Sequence, residues 1–413
     1  ITLSGYPLKV DADNVIIRSQ SGDRDAVIIQ GQGMGQLPES IFKVRADNFT
    51  CQDMTLRRVG NHVIHIFGHH DVDNTTLRNL VIQDGYEQLV KVTTNSDTPN
   101  IYSDGGLIED CLFEYTAGIG PQWYIGGIDA HRVRNYEVRN NVFKNIMSPS
   151  ERTAEHAIHL WSGSQDNVVE NNIIVNCDRG IGFGLGTTSI EYGGVIRNNM
   201  IYHSADAGSF GDVGIGLESC QETKVYNNSV FMEHGYYRAI EYRFSQTTGV
   251  YIANNLTNKA IASRNGGTGT VTNNVTNAQA SWFVDPAEGN LHLASNVASV
   301  VDQGTSSIPN LPADFKDFDG QSRPMGLGID IGADEVQGTQ PAPDVNPPNT
   351  SITSGPSGTI STNSATFSYS GTDDKTATNT LTFSYRLVGS SSTWSSYSSA
   401  ITKTFFDLAD GSY

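Results

Sequence analysis

The chain has 413 residues, a formal net charge of −18 at pH 7, 37% hydrophobic and 17% charged residues, and 42 glycines. The acidic balance argues against nucleic acid as a partner, because phosphate binding needs a basic surface. No apolar run reaches the roughly 18 residues of a membrane-spanning helix, so no membrane span is expected. The composition favours a β-rich, turn-rich fold, either several domains or one long repeat array with a small module.

A five-residue phrase that starts Leu77-Arg-Asn-Leu-Val recurs eight times between residues 77 and 276. Copies follow each other at 19 to 31 residues. Repeats of roughly 20 to 50 residues indicate a solenoid. The third position of the phrase is Asn or Asp, at Asn79, Asp110, Asn140, Asn171, Asn198, Asn227, Asn254 and Asn273, and a looser copy has Asp53 there.

Each repeat carries two short runs of alternating apolar residues, one just after the Asn phrase and one 8 to 20 residues later. Such alternation predicts short, half-buried strands. Stacked turn on turn, these strands form a parallel β-helix over residues 1–336, in an all-β chain. We expect the third-position Asn to lie at a bend, in left-handed or bridge conformation, with its amide bonded to the same residue one turn away. The asparagines are therefore interpreted as structural.

The end of the array, Gly328-Ile-Asp-Ile-Gly-Ala-Asp-Glu335, resembles the segment that closes the last turn of secreted bacterial right-handed parallel β-helix proteins of the pectate-lyase-like superfamily. The resemblance covers residues 1 to 336. It implies an extracellular, bacterial-type protein and activity of the polysaccharide lyase or glycoside hydrolase kind. Because β-helices host many chemistries, it defines the fold more closely than the function.

Beyond the array, residues 337–349 read as a Pro-rich linker. Residues 350–413 resemble an immunoglobulin or fibronectin type III β-sandwich, interpreted as incomplete, with a spacer or attachment role. The strand-like start at Ile1 is interpreted as a trimmed or mature beginning. The four cysteines are expected to be small buried residues rather than disulfide partners; they are Cys51, Cys111, Cys177 and Cys220.

Aligning the second strand of each repeat by its inward apolar residues predicts two outward columns. The first column is His65, Lys91, Asp129, His159, Gly182, Gly216 and Glu241. The second is Phe67, Thr93, His131, Trp161, Gly184, Glu218 and Arg243, with His156 and Arg179 one step before the strand. We predict that both columns are exposed and form a groove with a bare glycine floor, where a hydroxyl-rich ligand lies and Trp161 stacks on a sugar ring.

Each of these features has a structural alternative. Trp161 packs under the loop from Gly186 to Gly193, Lys91 belongs to a surface ion-pair string with its neighbours, and Glu241 forms a cross-rung salt bridge with Arg243. A strand slip of one residue would turn the columns into the core, but the same apolar alternation in copy after copy argues against one.

The chemistry we favour is β-elimination on an anionic polysaccharide that contains uronic acid. This reaction needs a base for the C5 proton and a cation that neutralises the carboxylate. Lys91 and His159 are candidate bases, while His131, Arg179 and Arg243 are candidate cations. Asp129 orients a histidine or holds a Ca²⁺ ion.

Two further classes of function remain open. Glu218 and Glu241, roughly 7–8 Å apart at their β-carbons, suit an inverting glycoside hydrolase, whose carboxyl groups are about 6.5–9.5 Å apart. A non-enzymatic surface fibre, adhesin or glycan-binding protein, with self-assembly, fits the repeat equally. A metal site made of Asp129, His131 and His159 is the remaining option.

Overall fold

The computed structural model describes residues 1–208, 210–336, 348–373 and 376–413. The chain divides into two compact units, Ile1–Gly338 and Thr339–Tyr413. Most of the predicted linker, residues 337–347, lies outside the described residues. Among the described residues, none of the helices has the length and apolar character needed to cross a membrane.

The first unit is a parallel β-helix, in which each coil adds one strand to each face. One face, which we call the front sheet, is a ten-stranded parallel sheet. Its strands are Leu8–Val10, Phe42–Val44, Ile64–Ile66, Val90–Val92, Ile128–His131, His156–Trp161, Arg179–Phe183, Ile215–Glu218, Arg238–Arg243 and Ala260–Arg264.

The other faces form two flank rows, which the Asn phrase separates. Two long strands, Thr50–Val59 and Thr76–Gly85, span both rows. The row before the phrase contains Ile16–Arg18, Leu107–Glu109, Glu137–Arg139, Val168–Glu170, Val195–Arg197, Lys224–Tyr226, Val250–Ala253 and Gly269–Thr272. The row after it contains Ile28–Gln30, Leu112–Glu114, Val142–Lys144, Ile173–Val175, Met200–His203, Ser229–Met232 and Leu256–Thr257.

Short elements complete the described residues. The small strands of the first unit are Ser103–Asp104, Val133–Arg134, Glu191–Tyr192, Cys220–Gln221, Phe283–Asp285 and Asn290–Leu293. The 3-10 turns are Gly68–His70, Ala280–Trp282, Pro286–Glu288 and Thr378–Thr380. The second unit contains one antiparallel sheet of Asn349–Ser354, Ala365–Thr372 and Thr402–Phe405. The predicted fold class, an all-β parallel β-helix followed by a small antiparallel module, is confirmed, whereas its immunoglobulin or fibronectin type III kinship stays a prediction.

The core runs down the inside of the coils. Ile128, Ile158, Ile181, Ile215 and Ile240 stack on successive front strands, and each is fully buried. Full burial of an isoleucine side chain contributes roughly 1.5–3 kcal/mol, so this apolar stack fixes which face of each strand points outward. All four cysteines are buried and free, as predicted.

The Asn phrase divides two tasks between its third and fourth positions. The third-position residues have the positive φ that was predicted, for example 56° at Asn140 and 53° at Asn198. The amide ladder, however, is made by the fourth-position residues: Asn141 Nδ2 donates to Asn172 Oδ1 at 3.0 Å, and Asn172 Nδ2 donates to Asn199 Oδ1 at 2.9 Å. The predicted third-position bond occurs at two places, where Asn79 Nδ2 donates to Asp53 Oδ1 at 2.8 Å and Asn254 Nδ2 donates to Asn227 Oδ1 at 3.3 Å. For the coils from Asn140 to Asn198 the prediction is wrong, because the fourth-position side chains make the ladder there.

The segment after residue 278 does not close the last turn, as the sequence suggested, but runs back along the outside of the coils. Phe283 packs against Phe231 of the second flank row, with ring centroids 5.5 Å apart. The third-position asparagines Asn198 and Asn227 donate to the carbonyls of Lys316 and Asp330, at 2.8 and 2.9 Å. The segment therefore covers an apolar flank of the β-helix.

Candidate functional site

The two outward columns lie on one face of the front sheet, in the register predicted. Lys91 is paired with Asp129, and Asp129 with His159, on neighbouring strands. The pairs His159 with Gly182, Gly182 with Gly216 and Gly216 with Glu241 continue the first column. The second column contains the pairs His131 with Trp161 and Glu218 with Arg243.

The first column is less exposed than predicted. Lys91, Asp129, His159 and Glu241 have exposed fractions of 5%, 2%, 1% and 2%. The prediction of an open groove is wrong for these residues, because side chains of adjacent rungs pair with each other instead of pointing into solvent.

Lys91 and Asp129 form a closed ion pair under the second column. The Lys91 ammonium donates to Asp129 Oδ2 and lies 3.0 Å from His131 Nε2. Trp161 Nε1 donates to Asp129 Oδ1 at 2.6 Å. Burial alone would raise the pKa of Asp129, but Lys91 and the nearby imidazoles outweigh it and the pKa is lowered. We call Lys91, Asp129, His131 and Trp161 the ion-pair cluster. The sequence left open an ion pair of Lys91 with its neighbours at the surface as an alternative. The Lys91–Asp129 pair is present, but it is buried.

His65, at the far end of the column, is part of an aromatic stack. Its ring lies 4.1 Å from that of Phe67, and its Nε2 is 3.2 Å from Thr93 Oγ1. Burial is the main cause that lowers the pKa of His65 to about 3, and it likewise lowers that of His131 to about 4. Both imidazoles are therefore neutral at pH 7.

The front sheet opens into a cleft of about 220 Å³ beyond Trp161. We call it the arginine cleft. Its lining includes six of the predicted site residues together with Asp212 and Arg264, which the sequence reasoning missed. The full lining is His156, Arg179, Gly184, Leu185, Gly186, Asp212, Val213, Gly216, Glu218, Glu241, Arg243 and Arg264.

Glu218 and Glu241 are both bound by arginine. Arg243 Nη1 lies 2.5 Å from Glu218 Oε1, and Arg243 Nε lies 3.2 Å from Glu241 Oε1. Glu241 also accepts from Arg238, Arg264 and the Tyr236 hydroxyl. The cross-rung salt bridge is thus present, and neither carboxyl group is placed as a free acid.

Arg179 and Asp212 form the opposite wall of the arginine cleft. Arg179 Nε donates to Asp212 Oδ2 at 3.0 Å, and its Nη1 lies 3.9 Å from Glu155 Oε2. Guanidinium groups carry five donors. Across the part of the chain that the structure describes, Nη2 of Arg179, Arg243 and Arg264 makes no hydrogen bond, so each arginine keeps donors for a ligand.

His156 and His159 come together at the end of the cleft. Residues three apart on a regular strand face opposite sides, but Ala157 makes no ladder pair and both rings reach the outer face, with centroids 4.4 Å apart. The His156 ring lies across Gly182, where an ideal Cβ would be 2.6 Å from His156 Nε2. The predicted bare floor at Gly182 is therefore covered by an imidazole.

The neighbours of the two imidazoles define their hydrogen positions. His159 Nε2 lies 3.1 Å from the carbonyl oxygen of Gly184, which can only accept, so Nε2 carries a hydrogen. Nδ1 of His156 and of His159 are buried without a hydrogen-bond partner. Burial, followed by His159 and Arg179, lowers the pKa of His156 well below its ordinary value.

Gly184 is required by its backbone. Its φ is +79°, and a Cβ there would lie 1.9 Å from the Glu218 carbonyl oxygen. The residue ends the front strand in a turn that presents its carbonyl to His159. Gly184 thus shapes the edge of the cleft rather than a flat floor.

Two groups of side chains among the described residues are close enough to share a metal ion. Glu155, His156 and His159 offer ligand atoms within 4.8 Å of one another, as do His292, Asp319 and Asp334. The predicted set of Asp129, His131 and His159 is not one of these groups, since Asp129 and His131 contact Lys91 instead.

The missed residues had a signal in the sequence. Glu155 and Asp212 each stand three residues before the first inward isoleucine of a front strand, Ile158 and Ile215. Glu87 and Asp178 stand at the same place before Val90 and Ile181. This recurrence of acidic residues marks a third column beside the first two. Arg264 pairs with Arg243 one coil beyond the alignment.

No family model and no curated protein matches the chain. Solved structures similar to it include the pectate lyase Pel9A, with 12% identity, a TM-score of 0.40, and coverage of 81% of this chain and 86% of that one. XylC in complex with xylose shows 10% identity, a TM-score of 0.35, and coverage of 63% and 56%. Endopolygalacturonase I from Stereum purpureum, complexed with two galacturonates, shows 12% identity, a TM-score of 0.34, and coverage of 67% and 94%.

Proposed function

We propose that this protein degrades an acidic polysaccharide by β-elimination in the arginine cleft. The observation that carries the proposal is the placement of the His156 imidazole, with the His159 ring 4.4 Å from it, in the same cleft as three arginines that keep unused donors. Elimination next to a uronate carboxylate requires those two components, a proton acceptor and a cation.

The arginines supply the recognition of the carboxylate. Arg179, Arg243 and Arg264 are held in place by their own acidic partners, so their free Nη2 groups are preorganised. A guanidinium binds a planar carboxylate through parallel N–H donors. As the C5 proton leaves, negative charge builds up on that carboxylate, and fixed cations stabilise it most strongly at that moment.

The proton acceptor belongs to the pair formed by His156 and His159. It takes the C5 proton, the electron pair forms the C4=C5 bond, and the C4–O bond breaks. The departing oxygen takes a proton from solvent. Lys91, Asp129 and His131, candidates for chemistry by sequence, are assigned a supporting role, because they contact each other and do not line the arginine cleft.

Hydrolysis by Glu218 and Glu241 is less well supported. An inverting enzyme needs one carboxyl group that faces the glycosidic oxygen and another that faces a water, whereas Arg243 lies against both carboxyl groups. Polysaccharides that contain uronic acid are extracellular polymers. We therefore propose that the protein is secreted.

The test is incubation with alginate, pectate and glycosaminoglycans, following the ultraviolet absorbance of unsaturated uronates. We expect unsaturated ends from at least one substrate. We also expect His156→Gln to lower kcat by about 10²–10⁴-fold, while the same change at His70, exposed in the turn Gly68–His70, leaves it unchanged. Reducing ends without unsaturation would establish hydrolysis, and no product from any polymer would favour the fibre or glycan-binding alternative.

A further inference from the structure

We infer that Glu155, His156 and His159 form a binding site for a divalent transition metal of the Zn²⁺ class at the end of the arginine cleft. The inference deepens the proposed function. It rests on that function only for what the metal does in catalysis, whereas metal binding stands on the geometry alone.

The His159 ring presents one nitrogen to Glu155. Because Nε2–H donates to the Gly184 carbonyl, Nδ1 is the atom that can bind a metal ion. Nδ1 lies 3.8 Å from Glu155 Oε2, and a cation between the two atoms would be bound by both. A backbone carbonyl that fixes the tautomer of a metal-binding histidine is the usual outer-shell arrangement.

The second argument is the unsatisfied nitrogen of His156. Its Nδ1 is buried and has no hydrogen-bond partner. The same is true of Nδ1 of His159. Buried polar atoms without partners are rare in native proteins. Two of them on adjacent rings, 4.4 Å apart, both beside Glu155, share one explanation in a bound cation.

The ligand atoms of Glu155, His156 and His159 are close enough to one another to share a metal ion. Zinc binds nitrogen and oxygen at about 2.0–2.2 Å, so two ligands of a tetrahedral site are roughly 3.3 Å apart. The ligand atoms here lie within 4.8 Å of one another. The Glu155 side chain is partly exposed and is free to move toward a bound ion.

The donor set selects the kind of metal. Ca²⁺, the ion considered from the sequence, takes six to eight oxygen ligands. Two imidazoles and one carboxylate favour Zn²⁺, or Co²⁺ and Ni²⁺ as replacements. Three protein ligands leave a coordination position for water or substrate, and His156 also lines the arginine cleft, which gives that position access to a polymer.

Arg179 is a cation that already lies near the site. It lies 3.9 Å from Glu155 Oε2 but makes its hydrogen bond to Asp212 at 3.0 Å. Asp212 can therefore hold Arg179 while Glu155 binds metal. With a metal bound, the imidazoles would be ligands, and the metal would supply a bound water of lowered pKa that replaces them as the acceptor of the C5 proton.

The test measures metal directly, without substrate. The full chain is stripped with chelator, refilled with Zn²⁺ or Co²⁺, and analysed for metal content and for the visible bands of bound Co²⁺. We expect about one ion per chain and Co²⁺ bands of a nitrogen-ligated site. Glu155→Gln and His159→Gln should lower the affinity at least 10-fold, because loss of an outer-shell partner alone costs about 10–100-fold.

Two controls assign the result to this site. His70→Gln and His292→Gln, the second in the other possible metal group, should retain the Co²⁺ bands. Absence of bands in the unaltered protein would overturn the inference without any variant. Bands that persist in Glu155→Gln, His156→Gln and His159→Gln alike would also overturn it, by placing the ion elsewhere.

The two proposals fail separately. Metal uptake with no unsaturated product from any polymer would leave the site standing and remove the proposed elimination. Full elimination activity in protein that binds no metal would do the reverse, and the imidazole pair itself would then be the proton acceptor.

Discussion

The absence of a side chain at Gly182 decides the shape of the arginine cleft. Its outward position is filled by the ring of His156, whose Nε2, Cδ2 and Cε1 atoms would lie 2.6 to 2.8 Å from an added Cβ. Any other residue at 182 has to turn that ring away. A glycine in a strand thus marks a close approach, here of an imidazole from the preceding coil.

Gly182→Ala should therefore damage the site more than the fold. We expect kcat on the unsaturation assay, and Co²⁺ affinity, to fall at least 10-fold because His156 loses its position. Overpacking of this kind costs about 1–3 kcal/mol of stability, which urea unfolding will measure. Gly235→Ala, where nothing lies within 4 Å of the added Cβ, is the control. Unchanged activity and metal affinity would show that the position of the ring is unimportant.

Glu191 gives a residue-scale prediction about pH. It is 2% exposed, and burial raises its pKa from 4.5 to about 7, although Gly163 and Ser164 N–H groups and the Ser189 hydroxyl oppose this. The folded state thus holds a proton that the unfolded chain releases above pH 4.5. Stability from this group is greatest below 4.5 and declines as pH rises through 7.

Compared with Glu191→Gln, the unaltered protein should lose up to about 3 kcal/mol of unfolding free energy between pH 4.5 and 7.5. Cys220 is the other titratable group whose pKa Glu191 affects, and it stays protonated in this range because burial raises its pKa. Urea unfolding at several pH values measures the difference, with the exposed Glu151→Gln as control. Parallel pH profiles for the protein and Glu191→Gln would contradict the raised pKa.

Individual residues show where sequence reasoning succeeds and fails. Strand alternation, a local property, predicts that the side chains of Lys91, Asp129 and His159 lie on the same side of the sheet. The observed register confirms this. Their burial does not follow, because it depends on Trp161 and His131 of the next column folding over them. Contacts between long side chains of different coils are set by rotamers, about which a strand pattern is silent.

At the scale of the element, the Asn phrase combines a bend and a ladder in two adjacent residues. Asn140 has a φ of 56° and supplies the bend. Asn141 bonds to Asn172, to the Ile108 carbonyl, and to the Cys111 backbone N–H. The repeat is visible in the sequence. Which position forms the bend and which forms the ladder is not, because the third and fourth positions are both usually Asn.

The two positions should respond differently to mutation. Asn141→Ala removes an amide whose partners stay buried and unsatisfied, which we expect to cost about 2–5 kcal/mol. Asn140→Gly keeps the left-handed bend, which glycine tolerates, and should cost less than about 1 kcal/mol. Urea unfolding of the two neighbouring variants measures the contrast. Equal losses, or a larger loss for Asn140→Gly, would mean that the Asn140 side chain matters as much as the Asn141 ladder and would contradict this division of roles.

At the scale of the whole molecule, the repeat period predicted a solenoid of stacked coils, because each coil needs its neighbours to bury its apolar face. The course of residues 278–336 was not predictable in this way. It depends on apolar side chains that point outward from the second flank row, such as Tyr202 and Phe231, and that join one cluster with Phe283 and Leu291. In the sequence, a strand that is apolar on both faces indicates that a further segment of the chain covers its outer face.

The covering segment is held together by one buried ion pair, which gives the last prediction. Arg323 and Glu335 are fully buried, 2.7 Å apart, and Arg323 also donates to the carbonyls of Gly332 and Ala333. Removing one member of such a pair leaves the other charge unpaired and costs about 3–5 kcal/mol. In Arg323→Met that loss should loosen residues 278–336 from the coils and uncover the flank.

Limited proteolysis should then cut Arg323→Met within residues 278–336 before it cuts the coils, and a dye for exposed apolar surface should bind. Arg18→Met, at an exposed site, is the control. The double variant Arg323→Met with Glu335→Met should recover part of the stability, because no unpaired charge remains. Simultaneous cleavage of segment and coils would mean that the segment is an integral part of the β-helix, which cannot keep its fold once that flank is uncovered.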